Sequence, residues 1–192
     1  MRIVLLASCG ALAACSPAAS DKPASPAHAE TVTTPASPPA SPASISARMV
    51  AGLDGEGVRL VDRETGSTRL IAFGTSAEAA HQAVAGIRSE PSRQGTNPDC
   101  GAGALDYSQW DDLILWFQDG AFVGWASNAP GPSTLNGIGV GMTHVQLEQS
   151  GTTIAYEETS LGKTFAAGSI SGVVNDDGVV SNLWAGVSCN FD

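Results

Sequence analysis

Beyond about residue 47 the chain alternates short apolar runs with glycine-bearing turns, and the pattern is one of strands more than helices. Strands are predicted at Val58 to Asp62, Thr68 to Phe73, Leu113 to Phe117, Phe122 to Trp125, Thr152 to Glu158, Ile170 to Val174 and Val179 to Trp184. Two of the intervening gaps read Asp-Gly, at Asp119-Gly120 and Asp177-Gly178. Asp-Gly between apolar runs is a strong hairpin signal because both positions tolerate the positive φ that a tight turn needs. Helices are predicted at two places, each following an apolar strand end and a glycine: Phe73-Gly74-Thr75-Ser76 and Val140-Gly141-Met142-Thr143. Each start carries the capping-box pattern, Thr75 with Glu78 and Thr143 with Gln146, in which hydroxyl and longer side chain satisfy each other's backbone amides. Ala80, Val84 and Ile87 then mark one face of the first helix at 3.6-residue spacing; the second ends near Ser150-Gly151. The repetition of glycine, cap, helix and Asp-Gly hairpin predicts an α+β domain, an antiparallel sheet with two short helices on one face, made of two similar helix-plus-hairpin units in tandem.

The N-terminus follows a different logic. Met1-Arg2 is positive and Ile3 to Ala14 apolar, a run too short for a membrane-spanning helix of about 20 residues, so residues 1–14 read as a signal peptide. Leu12-Ala13-Ala14-Cys15 resembles a lipobox, whose cysteine is acylated at the thiol before cleavage. Leu6-Ala7-Ser8-Cys9 fits the same pattern but would leave an apolar segment only a few residues long, which makes Cys15 the expected lipidation site. Several acyl chains supply the multiple apolar signals that stable anchoring requires. Similarity to Gram-negative lipoproteins, with Ser16 and not Asp after the cysteine, implies an outer-membrane address facing the periplasm. Residues 15–46 are nearly all Ala, Ser, Pro and Thr, as in Thr34-Pro35-Ala36-Ser37-Pro38-Pro39, which cannot build a core and reads as an extended tether; His28 lies within it. Residues 47–192 are then the one folded domain, of ordinary size for a single core.

Charge narrows the partners. The chain has 9 Lys+Arg and 19 Asp+Glu; losing Arg2 with the signal peptide leaves 8 against 19, a net charge of −11. Phosphate binding needs clustered Lys and Arg, and no basic run exists, so nucleic acid and anionic lipid headgroups are not expected partners. Of the four cysteines, Cys9 leaves with the signal and Cys15 carries lipid. Cys100 and Cys189 remain, and in an oxidising compartment a lone pair in one domain is most simply a disulfide. Closing a loop of about 90 residues would stabilise the fold by about 4–5 kcal/mol on the chain-entropy account.

Ile138-Gly139-Val140-Gly141-Met142-Thr143 running into a helix resembles the Gly-Met-Thr segment of the small outer-membrane-assembly lipoproteins, the SmpA/OmlA-like family. Two such units joined into one sheet are also similar to the β-lactamase-inhibitor-protein-like fold. The likeness covers most of residues 70–190 in outline. The first unit departs from it, with Gly74-Thr75-Ser76 in place of Gly-Met-Thr, and the second unit has no second helix. The resemblance implies a protein-binding or envelope-maintenance role without chemistry, and does not imply a β-lactamase as target.

Signals of chemistry are few. Gly137-Ile138-Gly139-Val140-Gly141 has Met142 where a dinucleotide loop wants a third small residue, and no strand-helix-strand unit surrounds it. Gly168-Ser169-Ile170-Ser171-Gly172 has isoleucine at the serine position of a nucleophile elbow. Neither a zinc pattern nor a calcium loop is present, Asn175-Asp176-Asp177-Gly178 reading as a turn, and no cofactor is expected. The alternative to a binding protein is a small periplasmic hydrolase in which a free Cys100 is activated by His81 or His144. What remains is aromatic residues on strands. With Asp119-Gly120 as a two-residue loop, Gln118 faces Ala121, Trp116 faces Val123 and Ile114 faces Trp125, which puts Trp116 and Trp125 on one face and Leu115, Phe117 and Phe122 on the other. Trp116 and Trp125 are therefore the candidate binding surface for an envelope protein partner, the competing reading being a tryptophan face that is itself covered.

Overall fold

A computed structural model describes residues 48–189. The signal peptide (1–14), Cys15 and the tether (15–46) lie outside the described residues. The chain first forms a three-stranded antiparallel sheet, β1 (Met49–Asp54), β2 (Gly57–Asp62) and β3 (Thr68–Ala72), in that order. The helix α1 (Ala77–Arg88) follows, then a meander of β4 (Arg93–Asn97), β5 (Leu105–Gln109), β6 (Ile114–Gln118) and β7 (Ala121–Ser127). After a long connection come the helix α2 (His144–Glu148) and a second meander, β8 (Ala155–Thr159), β9 (Gly162–Ala167), β10 (Ile170–Val174) and β11 (Val180–Gly186). The two meanders share one eight-stranded sheet of order β4-β5-β6-β7-β11-β10-β9-β8, antiparallel throughout. The fold is thus sheet-rich α+β, with two antiparallel sheets and two helices among the described residues.

The main core gathers one face of the large sheet, with Phe117, Phe122, Trp125 and Leu183, against Leu53, Val58 and Ile71 of the small sheet, Ala80 and Val84 of α1 and Leu147 of α2. The two sheets are also hydrogen-bonded, because the Trp125 indole Nε1 donates to the Asp54 carbonyl at 2.8 Å. A buried tryptophan needs such an acceptor, since an unpaired N–H in a core costs about 1–3 kcal/mol.

The helix starts follow local chemistry. Thr143 accepts from the Gln146 amide at 3.3 Å while Gln146 Oε1 accepts from the Thr143 amide at 2.9 Å, the full capping box. At α1 the cap lies one residue later than the sequence pattern suggests. Ser76 accepts from the Ala79 amide at 3.4 Å, and Glu78 is bonded instead by Gln82 at 3.0 Å one turn along. The Thr75–Glu78 box therefore does not form. Thr75 is occupied elsewhere, its carbonyl accepting the Phe122 amide at 2.8 Å.

Three strands of the large sheet, β4, β5 and β9, have no counterpart among the predicted strands, and neither does β1. β4 reads Arg-Gln-Gly-Thr-Asn and is nearly all exposed, so no apolar alternation marks it. It exists because β5 supplies a pairing edge, from Arg93 opposite Gln109 to Asn97 opposite Leu105.

Candidate recognition surface

The β6–β7 hairpin sets the geometry of the face turned away from the main core. Asp119 and Gly120 both have positive φ, 51° and 76°, as a two-residue turn of this hand requires, and Gln118 faces Ala121 as the sequence predicts. The register then shifts: Phe117 pairs with Phe122, but Trp116 pairs with Gly124, leaving Val123 as the extra residue of a β-bulge. From there on every side chain of β7 points to the face opposite to the one a straight ladder assigns. The expected pairs Trp116–Val123 and Ile114–Trp125 are replaced by Trp116–Gly124, Leu115–Trp125 and Ile114–Ala126. Trp116 and Trp125 consequently do not share a face. Trp125 is 0% exposed in the main core, beside Leu115 and Phe122, and cannot contribute to a surface.

Trp116 lies on the outer face but is only 6% exposed, at the centre of a second, smaller core with Leu105, Ala126 and Cys100. Its ring meets Tyr107 edge-on at 5.7 Å. The cover is the C-terminal segment. After Gly186 the chain turns onto this face, the Val187 amide donates to the Val123 carbonyl at 2.9 Å, and Cys189 is disulfide-bonded to Cys100, 89 residues away in sequence, with Cα atoms 5.1 Å apart. Val187–Cys189 thus forms a strap over the first half of the sheet. Gly124 is what lets it lie flat: a Cβ there would strike the Val187 backbone.

The second half of the same face has no strap. A cleft of about 920 Å³ runs from Trp116 and Cys189 across Trp184, Asn182 and Val173 to Leu161 at the β8–β9 turn. A smaller cleft of about 320 Å³ adjoins it and shares Trp184 and Leu161. Trp184 is half-buried and Asn182 exposed, so here an indole ring and an amide lie open side by side. The rim is acidic, with Glu157, Glu158 and Asp176 set against Lys163. At the far end His144 Nε2 lies 3.2 Å from Lys163 Nζ and 3.5 Å from Glu148, and Lys163 sits 4.5 Å above the Tyr156 ring. Burial, reinforced by the Glu148 charge, pushes the Tyr156 phenol above its ordinary value.

Comparison of the chain with protein-family models, with curated proteins and with solved structures finds no match.

The Cys100 sulfur is held in the disulfide and offers no thiolate. The two candidate bases are engaged elsewhere, His81 3.0 Å from Gln94 on β4 and His144 with Lys163. Among the described residues there is no cluster of three or more His, Cys, Asp or Glu that could hold a metal, and no helix long and apolar enough to cross a membrane. The residue that sequence reasoning missed is Trp184. Its signal was the two-residue spacing from Asn182, which sets a polar residue on the tryptophan's own face and argues that this face is not core.

Proposed function

We propose that the domain is a non-enzymatic protein-binding module of an envelope lipoprotein, tethered through lipidated Cys15 to the outer membrane, and that it consists of two tandem units, α1 with β4–β7 and α2 with β8–β11. The observation that carries the binding role is the open cleft floored by half-buried Trp184 beside exposed Asn182, on a face whose other half is sealed by the chain's own strap. Tryptophan concentrates binding energy where it is partly desolvated, and Trp184, packed on one side against the small second core, keeps its other side open to the cleft.

Three features support the tandem reading. The strand order is symmetric about the β7–β11 pair, where Ala126 faces Trp184 and the flanking pairs Trp125–Ala185 and Ser127–Leu183 exchange when the units are interchanged. Gly74 and Ala77 donate to the Phe122 and Gly120 carbonyls just as Gly141 and His144 donate to those of Val180 and Gly178. The bulge at Val123 has its counterpart at Ser181, between Val174–Val180 and Val173–Asn182. The resemblance to the β-lactamase-inhibitor-protein-like fold implies the same plan.

The test is a photo-crosslinking residue at position 182 in the native envelope, with position 78 on α1 as control. A discrete protein adduct at 182 that disappears in Trp184→Ala, with none at 78, supports the binding role; adducts at 78 alone refute it. For the anchor, Cys15→Ala should move the protein from membrane to soluble fractions, and a mutant that still pelleted in high salt would rule out the lipobox reading.

A further inference from the structure

The strap is a picture of how this sheet takes a polypeptide. Val187–Cys189 leaves the β7–β11 ladder through a bend at Val187, is bonded to the carbonyl of the bulge residue Val123, and rests on Gly124 and Trp116. If the units are interchanged, Ser181 takes the place of Val123, Asn182 that of Gly124 and Val173 that of Trp116. All three line the 920 Å³ cleft. The segment that symmetry would lay across it is the one after β7, but that chain leaves for the small sheet, where the Ser133 carbonyl accepts the Leu53 amide at 2.9 Å. The second seat is therefore left open, and it differs from the first at Asn182, whose Cβ would hold a segment further off the sheet than Val187 lies over Gly124.

We infer that this cleft seats an extended segment of a partner protein, carrying an apolar side chain onto Trp184 and Lys or Arg toward the rim. The inference rests on the tandem reading and deepens it by naming the form of the partner. Two differences between the seats say how an external segment would be held. Where the strap presses its backbone onto Gly124, the open seat has Asn182, whose amide offers both a donor and an acceptor to a peptide backbone. Where the strap is fixed by a disulfide, the open seat has charge: Glu157, Glu158 and Asp176 outweigh Lys163 around the rim, complementary to a basic segment. Because β10 and β11 are paired on both sides, the cleft offers no free strand edge, and a segment would be held through its side chains, the Trp184 ring and the Asn182 amide.

The experiment pans a library of random linear peptides against the mature, lipid-free protein with its disulfide intact, and measures binding of the enriched sequences. The expected outcome is enrichment of peptides with an apolar residue flanked by Lys or Arg. Binding should shift the backbone amides of Val173, Ser181, Asn182 and Trp184, weaken about tenfold or more in Trp184→Ala, fall as salt is raised, and be unchanged in Glu78→Ala. Enriched peptides that bind Trp184→Ala as tightly as wild type, or that lack basic residues, would overturn the inference. If position 182 crosslinks a protein in the envelope but no linear peptide is enriched, the binding role stands and the extended segment fails. If neither occurs, both fail.

Discussion

The two halves of the large sheet have the same strand plan and opposite fates on their outer faces. On the first half Trp116 is covered by Val187–Cys189 and lies in a small second core; on the second half Trp184 floors an open cleft. The difference is not one of hydrophobicity, since both halves present a tryptophan. It comes from where the chain goes next. After β11 it turns back over Gly124 and is fastened to Cys100, whereas after β7 it departs to pair beside Leu53. Covering a face and exposing a face are thus decided by the connections and not by the strands.

The sharpest way to break this contrast is to attack the side common to both halves. Trp125→Ala removes a fully buried ring and the hydrogen bond to Asp54, and is expected to cost about 3–5 kcal/mol, read as the free energy of urea unfolding. A loss below about 1 kcal/mol would show that Trp125 is not core. Next, reducing the disulfide or making Cys100→Ser with Cys189→Ser should cost about 2–5 kcal/mol. It should also raise the solvent accessibility of Trp116, measured by acrylamide quenching of a variant in which the other three tryptophans are phenylalanine. Loss of stability without exposure of Trp116 would mean that the strap holds its place without the bond.

A smaller effect compares the two helices. Thr143→Ala should cost about 1 kcal/mol, because that side chain closes a full capping box, and Ser76→Ala somewhat less, because Ser76 makes a single longer bond. Equal urea midpoints for the two mutants would erase that distinction. A similarly small change is expected for Trp184→Ala, about 1 kcal/mol of stability, because this half-buried ring packs against the small second core on one side only. A loss as large as that of Trp125→Ala would make Trp184 a structural residue and leave the cleft without its anchor.

What the sequence disclosed, and what it hid, follows the range of the forces involved. The Asp119-Gly120 turn and the Thr143–Gln146 box are short-range chemistry and are legible directly. The cap of α1 is blurred because Thr75 and Ser76 are adjacent hydroxyls, either of which fits the pattern, and it is Ser76 that accepts the Ala79 amide. The polar strand β4 is invisible because pairing with β5, not its own side chains, creates it. The faces of Trp116 and Trp125 were misassigned by one residue: alternation counts positions, and a bulge adds one without leaving any mark in the residue types. The Cys100–Cys189 bond was legible by elimination, but that it fastens a strap over one half of a sheet depends on long-range topology.

The strap also imposes an order of events. Cys189 is the last of the described residues, yet the small core that it and Val187 complete belongs to strands formed from the middle of the chain. As the chain is made, the first half of the sheet therefore stands unfinished, Trp116 bare and the Cys100 thiol unpaired, until the strands of the second half have followed. Maturation of the early half awaits the arrival of the late one, and a chain truncated anywhere before Val187 would display a second hydrophobic groove and an unpaired thiol.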